Sequence, residues 1–156
     1  MSQLRPQSPT DAAELQRWAN YLGYAGVIPL YSLLAAAWFL LDWQPLCTRV
    51  STIYVATILC FLGGIQWGFA LHSTSGQTRI RRIFVSILPS LWALLALLLP
   101  ARLSIVALIV GLGLILTFEI MARDDNVYPP WYIPLRIRLT TLLVIGIAAF
   151  ALLPAV

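Results

Sequence analysis

Five apolar runs dominate this sequence, each close to the ~20 residues a helix needs to cross ~30 Å of hydrocarbon. They are read as spans at 21–41, 51–71, 83–99, 103–122 and 134–153. A bilayer core holds no water for backbone polar groups, so a spanning segment must satisfy them as a helix or a closed barrel. No run alternates apolar and polar residues as a barrel strand does. The sequence therefore predicts an all-α integral membrane protein, a bundle of five transmembrane helices. Of its 156 residues 60% are hydrophobic and only 10% charged, against about 25% charged in soluble domains. With the spans counted, nothing remains for a separate soluble domain.

Residues 1–10 carry two prolines and read as a disordered N-terminal tail, and 11–156 as a single five-span membrane domain. Asp11 can cap a helix, with Glu14 three residues on as in a capping box. Leu15, Trp18 and Leu22 then recur at helical spacing. This predicts a short interfacial helix before the first span; an extra turn of that span's own helix is the alternative. The first apolar run begins near Tyr21 and is long enough to span, so no cleavable signal is expected. Pro134 suits the first position of the last helix, where its missing N–H is not needed.

The arginines assign the sides. Arg5, Arg17, Arg79, Arg81, Arg82, Arg123, Arg136 and Arg138 fall on the N-terminal side, and only Arg49 and Arg102 on the other. The linkers are short, so the positive-inside rule places the N-terminus in the cytoplasm and the C-terminus outside. That orientation is expected of a multi-pass membrane protein. Tyr21, Trp131 and Tyr132 would form an inner aromatic belt, and Trp38 and Trp43 an outer one. The basic balance is thus a topology signal; arginines spread through linkers make no nucleic-acid surface.

Cys47 and Cys60, if helical between, lie ~20 Å apart at ~1.5 Å per residue, too far for a disulfide, which needs under about 7 Å. Neither has metal-ligand spacing, and His72 is the sole histidine, so neither a metal nor a cofactor is expected. No complete catalytic or nucleotide motif is present.

The polar residues of the spans cluster in the inner half. Glu119 sits near the end of span 4 and Arg136 at comparable depth on span 5. A carboxylate at membrane depth costs a few kcal/mol unless paired, which predicts a Glu119–Arg136 ion pair. That pair reads as a ligand or proton site, as a clamp on the helical hairpin, or as a carboxylate reaching the interface. Arg136 and Arg138 point ~200° apart, so only one can face the bundle. Gly64 and Gly68 form a GxxxG pair that permits close helix approach. Gln66 and Trp67 within it read either as a pocket wall or as helix packing. Pro29 and Pro89 each free a carbonyl about one turn back, and Ser90 offers a hydroxyl. The ligand-binding candidates are Gln66, Trp67, Ser90, Glu119 and Arg136; the helix-packing candidates are Gly23, Gly26, Gly63, Gly64 and Gly68.

The run FLGGIQWGFAL, the later PSLWALLALLLP and the closing PPWYIPLRIRLT resemble the membrane family catalogued as domain of unknown function 3429. That family includes bacterial inner-membrane proteins and the mitochondrial transmembrane protein 69. The resemblance covers nearly the whole chain from span 1 to span 5. It implies a five-span bundle, marks Gly63, Gly64, Trp67, Gly68, Pro89, Trp92, Trp131, Tyr132, Arg136 and Thr140 as motif positions, and supplies no mechanism. The family pattern often has a histidine where this chain has Gln66, so no catalytic or ligand role of an imidazole carries over.

Three functions follow. The first is a non-enzymatic scaffold, assembly factor or lipid-associated subunit of a membrane complex, partnered by another membrane protein or by a second copy. The second is a lipid- or quinone-binding protein, or an enzyme, with a pocket open to the cytoplasmic leaflet. The third is a small oligomeric transporter or channel, for which membrane-centre charges are few.

Overall fold

The computed structural model describes residues 9–73, 76–122 and 128–153. The tail expected over residues 1–10 falls mostly outside them, and Pro9 already opens the first helix. Six α-helices follow in order: α1 (Pro9–Ala25), α2 (Ile28–Phe39), α3 (Gln44–His72), α4 (Gly76–Leu97), α5 (Ala101–Met121) and α6 (Tyr132–Phe150). A short 3-10 turn, Leu41–Trp43, joins α2 to α3. With α1 and α2 taken as one crossing, five segments are long and apolar enough to span a membrane. The protein is a multi-pass helical membrane protein.

The first crossing is broken within the expected span rather than before it. Pro29 cannot donate to a carbonyl one turn back, and its ring clashes there. The chain turns at Gly26–Val27, and α2 restarts with the proline in its first turn. The Gly26 carbonyl, which no longer serves the helix, accepts a 2.6 Å hydrogen bond from the Tyr54 hydroxyl of α3. Pro89, by contrast, sits inside an unbroken α4. Helix α3 begins at Gln44, seven residues before the expected span, with Pro45 in its first turn.

Helix α3 is the centre of the bundle, touching α2, α4, α5 and α6, with α4 its most extensive partner. Its buried stripe, Leu59, Leu62, Gly63, Gln66 and Ala70, recurs at three- and four-residue spacing. Glycine is required at Gly63, where an added Cβ would lie 2.5 Å from the Ser86 carbonyl of α4 and against Pro89. A Cβ added at Gly23 would lie 2.7 Å from the end of the flexible Leu139 side chain of α6, and one added at Gly26 would meet only its own turn. Gly64 and Gly68 differ: nothing lies within 4 Å of a Cβ added at either. The GxxxG pair therefore makes no tight crossing inside the bundle; it lies on α3's outer face beside the exposed Trp67.

Candidate functional site

The buried stripes of four helices each carry a polar residue near the same end of the bundle. On α3 the stripe ends near Gln66, on α5 it runs Ile105, Leu108, Leu112, Ile115, Glu119, and on α6 it includes Tyr132, Leu135, Arg136 and Thr140. On α4 it runs Arg82, Ser86, Pro89, Ala93, Ala96. Gln66, Arg82, Glu119 and Arg136 lie within ~10 Å of their helix ends at ~1.5 Å per residue. Gln66, Arg82 and Glu119 are fully enclosed, each with 0% of its surface exposed.

Glu119 is the hub. Its Oε2 accepts from Arg136 Nε at 2.9 Å, as an ion pair. Its Oε1 accepts from Gln66 Nε2 and from the Tyr132 hydroxyl, each at 2.9 Å. Gln66 then offers its own carbonyl oxygen to Arg82 Nη1 at 3.0 Å. Arg82 also donates to the Tyr128 hydroxyl at 2.6 Å and, through Nη2, to the Ala122 carbonyl at 2.9 Å. Its guanidinium carbon sits 4.9 Å from the Tyr128 ring centroid and 5.8 Å from that of Phe69, within cation–π range. Tyr128 and Tyr132 stack at 5.0 Å, with the edge of Phe69 against both. Burial pushes the Tyr128 phenol above its ordinary pKa, against the opposing pull of Arg82.

This chain of contacts ties together four helices, α3, α4, α5 and α6, and the segment before α6. Charge is unbalanced in it: two guanidinium groups face one carboxylate among the described residues. Arg82 Nε and Arg136 Nη2 are buried there with no hydrogen-bond partner.

Gln66, Glu119 and Arg136 meet in this cluster, whereas Trp67 and Ser90 do not. Trp67 is 49% exposed and Ser90 is exposed on the outer face of α4. The five candidates therefore do not line one pocket. Nor does Glu119 reach the interface, because side chains from α3 and α6 enclose it. Tyr132, placed by sequence in an aromatic belt, is buried and donates to the carboxylate. Arg138 is exposed while Arg136 faces the bundle. His72 is exposed at the end of α3, its Nδ1 2.9 Å from the Gly68 carbonyl.

Two members of the cluster, Arg82 and Tyr128, escaped the sequence reading. By its place in the linker Arg82 groups with Arg79 and Arg81 as a topology arginine. Its spacing to Ser86, Pro89 and Ala93, four, seven and eleven residues on, is the signal that sets it on the buried face. Its neighbours have other duties: Arg79 Nη2 caps α3 through the Ser73 carbonyl at 2.9 Å, and Arg81 lies over Phe118. Tyr128 sits in a linker, where periodicity carries no information.

Residues 15–152 match the family described as "protein of unknown function (DUF3429)". The chain is 34% identical to transmembrane protein 69 of Xenopus tropicalis over 132 residues, covering 83% of this chain and 51% of that protein. It is also 34% identical to transmembrane protein 69 of Mus musculus over 122 residues, 76% of this chain and 49% of the relative. The chain thus spans about half the length of the curated relatives it matches. No solved structure matches it.

Proposed function

The chain belongs to the DUF3429 family of membrane proteins, and we propose that this member is a non-enzymatic scaffold, assembly factor or lipid-associated subunit of a membrane complex. The observation that carries this reading is the complete internal use of Glu119. A catalytic or proton-carrying carboxylate needs a route to substrate or water. Here three protein donors occupy both oxygens and no surface of the residue is exposed. Such a cluster acts as a clamp that fixes how α3, α4, α5 and α6 stand against one another.

The outer face of α3 supplies the docking side of the proposal. Gly64 and Gly68 leave room beside the exposed Trp67 for another helix to approach, as small-residue pairs do in lipid. We place the N-terminus in the cytoplasm of a bacterium and the C-terminus outside, because eight of the ten arginines fall on the N-terminal side. The test is crosslinking in membranes at native abundance, followed by mild-detergent purification of the wild type and of Gly64→Leu. A defined complex in the wild type, lost in Gly64→Leu while the protein stays folded, is expected. Recovery of the monomer alone from the wild type overturns the reading.

A further inference from the structure

Between α4 and α5 a groove of about 480 Å³ runs along the outside of the bundle. Val85, Leu88, Trp92 and Leu95 form much of its α4 wall, and Gly111 and Phe118 belong to its α5 wall. Val85 to Leu95 covers ~15 Å at ~1.5 Å per residue, which is half of the ~30 Å hydrocarbon core and so the depth of one leaflet. The side chains that line it are apolar. The one polar hydrogen among them is already used, because Trp92 Nε1 donates to the Ala107 carbonyl at 2.7 Å. Gly111 lets the Trp92 ring lie against α5, since a Cβ there would come within 2.7 Å of it. The wall is thus fixed before anything enters.

A cation stands at one end of this groove. Arg81, Val85, Leu88, Trp92 and Leu95 recur at alternating four- and three-residue spacing, so they form one stripe on one face of α4. Arg81 is the charged head of that stripe, one turn before Val85 and at the end of the bundle that holds Glu119. It is exposed, and its guanidinium carbon sits 5.2 Å from the ring centroid of Phe118, which itself lines the groove. The ring holds the cation at the mouth, and a cation–π contact takes up none of its five N–H donors.

We propose that an anionic phospholipid, from the leaflet at the Glu119 end, lays one acyl chain in the α4–α5 groove and sets its phosphate against Arg81. An apolar channel one leaflet deep with a single cation at its headgroup end matches both parts of that molecule. Basic pockets between transmembrane helices hold anionic headgroups in the same way. A partner helix about 10 Å across would need roughly 1,200 Å³ over the same length, so it can cover the groove but not fill it. The inference rests on the lipid-associated reading above and asks nothing of the α3 docking face.

The test titrates the full chain, delipidated in neutral detergent, and counts bound lipid by native mass spectrometry. The probes are dioleoyl phosphatidylglycerol, dioleoyl phosphatidylcholine with the same chains, and dihexanoyl phosphatidylglycerol with the same head. One dioleoyl phosphatidylglycerol per chain is expected, bound more tightly than either of the others. Arg81→Gln, at an exposed position, should weaken it about fivefold and leave phosphatidylcholine unchanged. Leu114→Trp fills the groove from an exposed lining position and should abolish saturable binding. The proposal is overturned if phosphatidylcholine binds equally, if the short-chain lipid binds equally, or if either folded variant keeps wild-type affinity. Crosslinking of the wild type is scored in parallel. An intact complex with no preferred lipid refutes this inference alone, and a bound lipid with no complex refutes only the docking.

Discussion

Replacing Glu119 by leucine should harm the protein more than replacing Arg136 by methionine, although the two residues form one ion pair. Removing one partner of a buried pair costs about 3–5 kcal/mol, because the other is left as an uncompensated charge. The cluster starts with one positive charge in excess among the described residues. Glu119→Leu removes the one carboxylate that the described residues bring to the cluster, leaves Arg82 and Arg136 with no counter-charge among those residues, and strips an acceptor from Gln66 and Tyr132. Its expected cost lies at the upper end, about 5 kcal/mol. Arg136→Met leaves one guanidinium and one carboxylate, with Gln66 and Tyr132 still donating to Glu119. Its cost should be about 3 kcal/mol or less. The double variant returns to the original charge excess, so the two effects should fall short of additivity by about 1–3 kcal/mol. Reversible unfolding in mixed micelles, followed by helicity, measures all three. Equal costs, a reversed order, or strict additivity would refute the account of Glu119 as the counter-charge of the whole cluster.

Glycine packing and the buried phenol can be tested in the same way. Gly63→Ala should destabilise the bundle by about 1–3 kcal/mol, because its Cβ meets the Ser86 backbone carbonyl. Gly64→Ala, one residue on and with nothing near it, should be neutral or stabilising by up to about 1 kcal/mol in the same unfolding assay. Tyr128 has its folded pKa raised above the ordinary value of 10.0, so the folded state holds this proton more tightly than the unfolded chain does. The stability it contributes is present in full below pH ~10 and is lost as the pH rises through the folded value. The difference in near-ultraviolet phenolate absorbance between wild type and Tyr128→Phe should therefore appear only above the titration of the exposed tyrosines.

The five-span architecture was legible because its signal is length and hydropathy, which a bilayer enforces directly. The placement of Glu119 opposite Arg136 was legible for the same reason: depth follows from counting residues along two adjacent spans. Facing was harder. Trp67 is adjacent to Gln66, but a step of one residue turns ~100° around the helix, so one is sealed in the core and the other exposed. The GxxxG spacing of Gly64 and Gly68 marks a face without saying what covers it, and the close contact with α4 comes instead from Gly63. Arg82 was obscured because a topology argument assigns every linker-proximal arginine the same role. Only the periodicity of its own helix separates it from Arg79 and Arg81.

That separation explains why the polar cluster is worth its desolvation. Apolar helices gain no hydrophobic association energy from one another in lipid, and polar contacts and close packing set their arrangement. Helix α5 ends at Met121, and its last carbonyls need partners. Arg82 reaches across from α4 to accept this duty, donating to the Ala122 carbonyl at the negative end of the α5 dipole. The same guanidinium holds Tyr128 and the carbonyl oxygen of Gln66, whose amide in turn holds Glu119. One buried cation therefore terminates α5, anchors the segment leading to α6 and aligns the glutamine that pairs with the carboxylate. An arginine turned to the headgroups could mark the orientation of the chain as well, but it would take the side-chain donor from the Ala122 carbonyl and leave the Gln66 carbonyl oxygen only the longer 3.4 Å bond from the Tyr128 hydroxyl.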